Sequence, residues 1–312
     1  MSSNYSKQEL TYLIKKKAYD LGFTACGIAK AEPIENKQLT FYQEWLRKGY
    51  HAEMLYLNNY FDKRMNPELL VPGTRSIISV AYNYYPNKFL DKEEYQIAWY
   101  AYGKDYHFVL KEKLDLLFKY IQSIISTEGR FFCDTAPVLD RYWAWKAGLG
   151  WIGKNTQLII PNAGSTFFLG ELFIDLELNY DQTQKNRCGN CTRCLTACPT
   201  KALEAPYTLN SNLCISYQTI ENKGDINNKI IPYLENKIYG CDDCLKACPW
   251  TRFAQPTTEQ NFLPSDSLLA MTKDKWLNLT ELEYQNLFKK SAVKRAKFTG
   301  LKRNINALNQ ND

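Results

Sequence analysis

The sequence predicts an α+β protein in three parts. These are an α/β domain with a mixed sheet flanked by helices over residues 1–180, a cysteine-rich module over 181–255, and a short basic helical segment over 256–312. Three observations predict it. Stretches with helical apolar spacing alternate with short β-rich runs through the first 180 residues. Eight of the ten cysteines then fall between Cys188 and Cys248. The chain closes on polar, cationic sequence with helical spacing.

Each element has its own signal. Ser6-Lys-Gln-Glu9 is a capping box that opens a helix through Leu10, Leu13 and Ile14, ending at Gly22. Phe23–Ala29 reads as the strand after it, and Lys37–Lys48 as a helix stopped by Gly49. Ser76–Tyr82 is an apolar run of buried-strand length. Tyr106–Ile125 is a long amphipathic helix with Leu110, Leu114, Leu117, Phe118 and Ile121 on one face. A helix over Leu139–Ala147 and strands over Gln157–Pro161 and Thr166–Leu178 complete the domain. The polar stretch 179–186 is the linker to the cysteines.

Cys188-Gly-Asn-Cys191-Thr-Arg-Cys194-Leu-Thr-Ala-Cys198-Pro199 has the bacterial ferredoxin spacing for cubane iron–sulfur clusters. Cys241-Asp-Asp-Cys244-Leu-Lys-Ala-Cys248-Pro249 repeats it without the leading cysteine, and Cys214 stands alone between the runs. In two-cluster ferredoxins the last cysteine of each run reaches across to the other cluster. That rule assigns Cys188, Cys191, Cys194 and Cys248 to one [4Fe–4S] cluster, and Cys198, Cys214, Cys241 and Cys244 to the second. The module is therefore ferredoxin-like and its chemistry is electron transfer. Structural zinc fits less well, because it usually shows two Cys-x-x-Cys pairs separated by a longer loop. A disulfide framework is disfavoured, since the N-terminus has no signal-peptide pattern and a reducing cytoplasm is the expectation. Cys26 and Cys133 read as ordinary core thiols.

No apolar run approaches the roughly twenty residues that span a bilayer, so no membrane partner is expected. Neither a dinucleotide-binding glycine motif nor a Walker loop is present. The net charge of +6 is unevenly placed, and Lys289–Arg303 carries seven cations and no acid. Such a cluster suits phosphate contacts, although a solvated tail has the same composition. In the first domain, Asp134, Arg141, Lys146 and Lys154 flank the glycine-rich stretch Gly148–Gly153, where a backbone can approach a ligand closely.

Taken in order, Asp62-Lys-Arg64, Tyr102-Gly-Lys-Asp-Tyr-His107, Asp134-Thr with Arg141, Lys146-Ala-Gly-Leu-Gly and Gly153-Lys154-Asn155 resemble the epoxyqueuosine reductase family. The first cysteine run, Leu213-Cys214-Ile-Ser216-Tyr and Tyr239-Gly-Cys241-Asp-Asp-Cys244 extend the resemblance over nearly the whole chain. It implies an oxidoreductase that reduces the epoxide of epoxyqueuosine at the tRNA wobble position to queuosine. It also implies base-off cobalamin in the first domain, reduced through the two [4Fe–4S] clusters. Asp134 is then the general acid, a carboxyl whose pKa a dry pocket raises.

By the same resemblance Arg64, Asp134, Lys154, Asn155, Leu158, Leu169, Ser216, Cys241 and Asp242 line the cobalamin. Neither His51 nor His107 lies in an Asp-x-His-x-x-Gly sequence, so no axial histidine is expected. Lys223, Lys294, Arg295 and Lys297 are the expected contacts to the anticodon stem-loop. An external electron donor of flavodoxin or ferredoxin type and a cytoplasmic location complete the expectation. The chain resembles the family's short form, which lacks a helical HEAT-like repeat after the basic segment. The runner-up is a reductive dehalogenase-like cobalamin enzyme acting on small organic molecules, and the third class is a non-catalytic electron carrier.

Overall fold

The computed structural model describes residues 5–309. Helix α1 (Lys7–Asp20) begins at the expected capping box, in which Ser6 Oγ accepts from Glu9 N and the Glu9 carboxylate accepts from Ser6 N at 2.8 Å. Strand β1 (Ala25–Lys30) follows, and helices α2 (Asn36–Arg47), α3 (Phe61–Met65) and α4 (Pro67–Leu70) lead to β2 (Ser76–Asn83). Next come β3 (Gln96–Ile97), α5 (Tyr106–Ile124), β4 (Gly129–Phe132), α6 (Asp140–Lys146), β5 (Trp151–Ile152), β6 (Leu158–Ile159) and β7 (Phe167–Ile174).

The main sheet has the order β1-β2-β7-β4 and is antiparallel at every pairing, whereas a mixed sheet was expected. The reason lies in β7. Helix α5 makes a crossover between β2 and β4, which run the same way, but β7 slots between them in the opposite direction. Alternation of helices and strands along a sequence cannot reveal that insertion. Strand β4 was also not foreseen, because Gly129-Arg-Phe-Phe132 is too short to show a period.

Helices cover both faces of the sheet. On one, Phe168, Leu172 and Ile174 of β7 join Leu110, Leu114 and Leu117 of α5 in the larger core. Here Gly170 must lack a side chain, since a Cβ would stand 2.9 Å from Leu114 Cδ1. On the other face, Phe173 packs with Ile77 of β2 and Trp143 of α6.

The larger core does not stop at the end of the sheet. It takes in Ile215 and Tyr239 of the cysteine-rich module, and Trp276, Tyr284 and Leu301 of the closing helices. Strand β3 pairs in parallel with Lys237–Tyr239, stitching the first segment to the second. Asn304, fully buried on the last helix (Lys297–Asn309), donates from Nδ2 to Thr219 O and Ile238 O at 2.8 Å each, and so ties the third segment to the second. Among the described residues no helix is long and apolar enough to cross a membrane.

Replacing Asn304 by leucine orphans two buried carbonyls, each costing about 1–3 kcal/mol. The expected result is a clearly lower melting temperature for Asn304→Leu than for the parent in thermal unfolding. Unchanged melting would show that the clasp is not needed.

Candidate functional site

The two cysteine runs interleave in space. Cys194 lies within electrostatic reach of Cys188 and Cys248, and Cys248 of Cys188 and Cys191. Separately, Cys214 reaches Cys198, Cys241 reaches Cys214, and Cys244 reaches both Cys214 and Cys198. The structure thus brings together Cys188, Cys191, Cys194 and Cys248 as one quartet and Cys198, Cys214, Cys241 and Cys244 as another. Cys194 and Cys244 also feel each other, so the quartets are neighbours.

Four thiolates per group is the donor set of a [4Fe–4S] cluster. Among the described residues, no three His, Cys, Asp or Glu side chains converge to hold a single metal ion. A buried donor supports the fit. Trp151 is 1% exposed and packs with Cys248 and Cys188, yet its Nε1–H has no partner. An indole N–H is a donor only, and cluster sulfur is an acceptor for it. The remaining thiols, Cys26 and Cys133, are buried in the larger core.

The turn after β5 rides against both runs. Lys154 Nζ donates to Gly189 O at 2.6 Å and Cys191 O at 2.9 Å, while Asn155 Nδ2 donates to Cys244 O at 3.3 Å. Ser216 Oγ donates to Cys241 O at 3.4 Å. Asp242 accepts the backbone N–H of Trp99 at 2.8 Å, which fixes the second run to the first segment. Burial pushes the Asp242 carboxyl up to about 6, with the Trp99 N–H and Lys246 opposing the shift.

Asp134 stands beyond the C-terminal end of β4, in a tight loop where its φ of +61° is left-handed. A non-glycine residue in that region stores strain and is common at functional sites. Its side chain is 61% exposed, yet surrounding protein desolvates the carboxyl strongly. The carboxyl therefore meets solvent on one side and protein on the others.

Tyr106 OH donates to Asp134 Oδ2 at 2.5 Å, and His107 Nε2 approaches the same oxygen at 3.5 Å. The second distance is an ion pair rather than a formed hydrogen bond. Behind it, His107 Nδ1 pairs with Asp105 Oδ1 at 2.7 Å, and Asp105 caps α5 by accepting from His107 N. The Tyr106 ring stacks on Phe168 at 4.3 Å and on His107 at 4.2 Å, which holds its hydroxyl in place.

The electrostatics reverse one expectation. Burial would raise the Asp134 carboxyl, but His107, Tyr106 and Arg141 outweigh it and hold the pKa below the ordinary value. Asp134 is therefore not a carboxyl kept protonated by a dry pocket. The proton sits on His107: burial opposes its charge, but Asp105 and Asp134 push the imidazole up to about 9. Tyr106 is pushed far above its usual range by burial and by Asp134, so it stays a fixed donor. Below Asp134, burial raises the carboxyls of Asp140 and Glu171, the latter well above its ordinary value.

Groups from all three segments gather around Asp134. Tyr100 feels Asp242, Glu221 and Asp134 together, and Tyr56 feels Glu221, Arg295 and Asp134. Arg295 makes a two-pronged pair with Glu221, Nε and Nη2 each at 2.8 Å. Glu221 is placed by a single π turn over Tyr217–Glu221, directly after Ser216. Lys223, beside Arg295, Lys297 and Arg303, donates to Arg295 O at 3.2 Å. Lys294 donates to Gln285 instead, at 2.9 Å.

For a corrin the residues present fit. Arg64 is 7% exposed with an unpartnered Nε, Asn155 is 3% exposed, Leu158 is buried in the second core and Leu169 packs against that core. His107 already faces two carboxylates and offers no free axial nitrogen. Lys154 is engaged with the first cysteine run, and Lys146 lies apart, paired with Glu35 at 2.7 Å. Asp105, Tyr106, Asp140 and Glu171 had no site role assigned from sequence. Asp105-Tyr106-His107 sits at a helix start, where an aspartate reads as a cap, and nothing local signals a carboxyl buried in β7.

Comparison with known proteins matches residues 64–135 to the family described as epoxyqueuosine reductase QueG, DUF1730, and residues 187–251 to the 4Fe-4S double cluster binding domain. The epoxyqueuosine reductase of Leadbetterella byssophila is 48% identical over 303 residues, covering 97% of each chain. That of Cellulophaga algicola is 45% identical, covering 97% of this chain and 99% of its own. A crystal structure of epoxyqueuosine reductase with an epoxyqueuosine-modified tRNA-Tyr stem loop is 27% identical, with TM-score 0.90 over 97% of this chain and 81% of that one. The Bacillus subtilis enzyme, in a structure described with its catalytic aspartate loop swung out of the active site, matches at TM-score 0.88 and 26% identity over 97% of this chain and 82% of that one. A reductive dehalogenase matches at TM-score 0.50 and 14% identity, covering 97% of this chain and 38% of its own, a likeness of fold alone.

His107 gives a pH test of the Asp134 site. Its folded pKa of about 9 lies above the unfolded value of roughly 6.5, so its stabilisation is fully present below the unfolded value and is lost as pH rises through about 9. The stability gap between parent and His107→Gln in chemical denaturation should be widest near pH 6 and narrow towards pH 9.5. A gap that does not change with pH would refute the charged imidazole.

Proposed function

Because the chain belongs to the epoxyqueuosine reductase family, we propose that it reduces the epoxide of epoxyqueuosine in tRNA to the alkene of queuosine. The observation that carries this reading is the convergence of Tyr106 and His107 on one oxygen of Asp134, in a cleft reached by the second cysteine run and the basic segment. Removing the epoxide oxygen takes two electrons and two protons and yields alkene and water. The electrons enter through the 4Fe-4S double cluster binding domain. Cobalamin, when bound in the cleft, supplies the strong reductant that breaks the carbon–oxygen bond. Arg64, Asn155, Leu158, Leu169, Ser216, Cys241 and Asp242 would hold it.

The protein's own part is to manage protons. At neutral pH the imidazolium of His107 is the stored acid and Asp134 is ionised. As the epoxide oxygen gains negative charge, the imidazolium of His107 closes its 3.5 Å ion-pair distance to Asp134 into a hydrogen bond and passes its proton through that carboxylate to the oxygen. Asp105 orients the imidazole and stabilises its charge, and His107 recharges from solvent for the second proton. Tyr106 keeps its own proton and fixes the position of Oδ2. Asp134 thus acts as the conduit rather than the store.

Lys223, Lys294 and Lys297 give the tRNA backbone its contacts beside the cleft, in the cytoplasm where tRNA is modified. Arg295 is held by Glu221 and serves first to shape the cleft wall.

Anaerobic turnover of an anticodon stem-loop carrying epoxyqueuosine, by protein loaded with iron, sulfide and cobalamin, tests the reading. Conversion to queuosine is expected, and none under those conditions sinks it. Asp134→Asn should lower turnover by about 10²–10⁴-fold, as loss of a proton-transfer group does. His107→Gln should abolish the loss of rate near pH 9. In binding experiments Lys294→Ala and Lys297→Ala should each flatten the plot of log affinity against log salt by about 0.7–0.9. An unaltered slope would take those lysines out of the interface.

A further inference from the structure

We propose that electrons enter at the face formed by the first cysteine run, and that this face docks a small acidic protein carrier with its redox group near the surface. The inference rests on the two-cluster reading and adds the surface through which the clusters are charged. Between Gln182 and Leu203 the chain carries Lys185, Arg187, Arg193 and Lys201 and no acidic residue. All four are exposed, and Arg187 and Arg193 directly adjoin the ligand positions Cys188 and Cys194. Cys188, Cys191 and Cys194 are half-buried, as Cys214, Cys241 and Cys244 are, so it is the cations rather than thiol exposure that mark this face, and Gly189 there has open space where a side chain would stand.

The second run has the opposite character. Its acids are spent inside the protein, Asp242 on the Trp99 N–H at 2.8 Å and Asp243 on Lys237 at 3.1 Å. Asp242 also faces the cleft that holds Asp134. One quartet is therefore rimmed by cations and its neighbour lies on the side of the Asp134 site, which sets the direction of flow.

The rim borders a groove of about 620 Å³ lined by Leu195, Thr196, Lys201, Leu203 and Pro206. Glu204, also in the groove, is taken up by Tyr50 and by Asn210 at 2.7 Å. A partly apolar groove with exposed cations beside it fits an acidic partner, which long-range attraction steers into a small, transient contact. The alternation needed is simple. The carrier is oxidised by one electron as the outer cluster is reduced by one, and two such transfers serve each epoxide.

Anaerobic stopped-flow tests the surface without tRNA, so its failure is separable from failure of the epoxide reading. Reduced flavodoxin, an acidic carrier, is mixed with cluster-loaded protein, and bleaching of the iron–sulfur absorption is followed. Lys185→Glu/Arg193→Glu should lower the second-order rate constant 10- to 100-fold at low salt and remove most of its salt dependence. Photoreduced deazariboflavin, small and neutral, should reduce the parent and the variant equally. An unchanged flavodoxin rate in the variant overturns the proposal. So does an equal loss with both reductants, which would assign these residues to holding the cluster. Slowing by Lys294→Glu instead would also overturn it, by moving the dock to the other basic surface.

Discussion

Everything in this molecule depends on an exchange between two stretches of chain. Cys248 stands with the thiols of the first cysteine run, and Cys198 with those of the second. On the proposed ligand assignment neither run completes a set of four thiolates alone. Cys214, in the connection between them, fills the position that the shorter second run leaves open. The exchange fixes where the second run points, and Asp242 then pins it to the backbone of Trp99. From that pin the first segment, the clusters and the cleft share one frame, reinforced by the pairing of β3 with Lys237–Tyr239.

Within that frame the cleft separates two tasks that one carboxyl was expected to combine. A lone buried acid must be desolvated enough to hold its proton, and the same desolvation would slow its reionisation. On the proposed mechanism His107, with a pKa of about 9, stores the proton, while Asp134, held below its ordinary value, hands it on. Asp105 makes this possible, since burial alone would have driven the imidazole to lose its charge. The arrangement needs α5 to begin at one place, because its capping residue Asp105 and the two residues after it are the whole relay.

Much of this was legible in the sequence. The capping box, the long α5 and the buried β2 followed from spacing, and the first cysteine run named its own chemistry. Three things were not legible. The direction of β7 was hidden because helix–strand alternation is blind to which strand inserts between which. The charge state of Asp134 was hidden because its sequence neighbourhood suggests only a turn, while its controlling partners lie 27 and 28 positions upstream. Arg295 read as a free cation, whereas Glu221, 74 positions away, holds it with two bonds. In each case the missing information was a contact between distant segments.

The placement of positive charge closes the argument. The chain has two cationic surfaces, one around the first cysteine run and one over Lys289–Arg303. Electrostatic reach links them stepwise: Cys194 acts on Cys244, Asp242 and Asp134 both act on Tyr100, and Asp134 and Arg295 both act on Tyr56. On the proposed function, an RNA held over Lys289–Arg303 and an anionic carrier at the first cysteine run use different cation clusters, so the two need not compete for one patch. Were one cation cluster to serve both, tRNA binding and electron entry would, on that proposal, exclude each other.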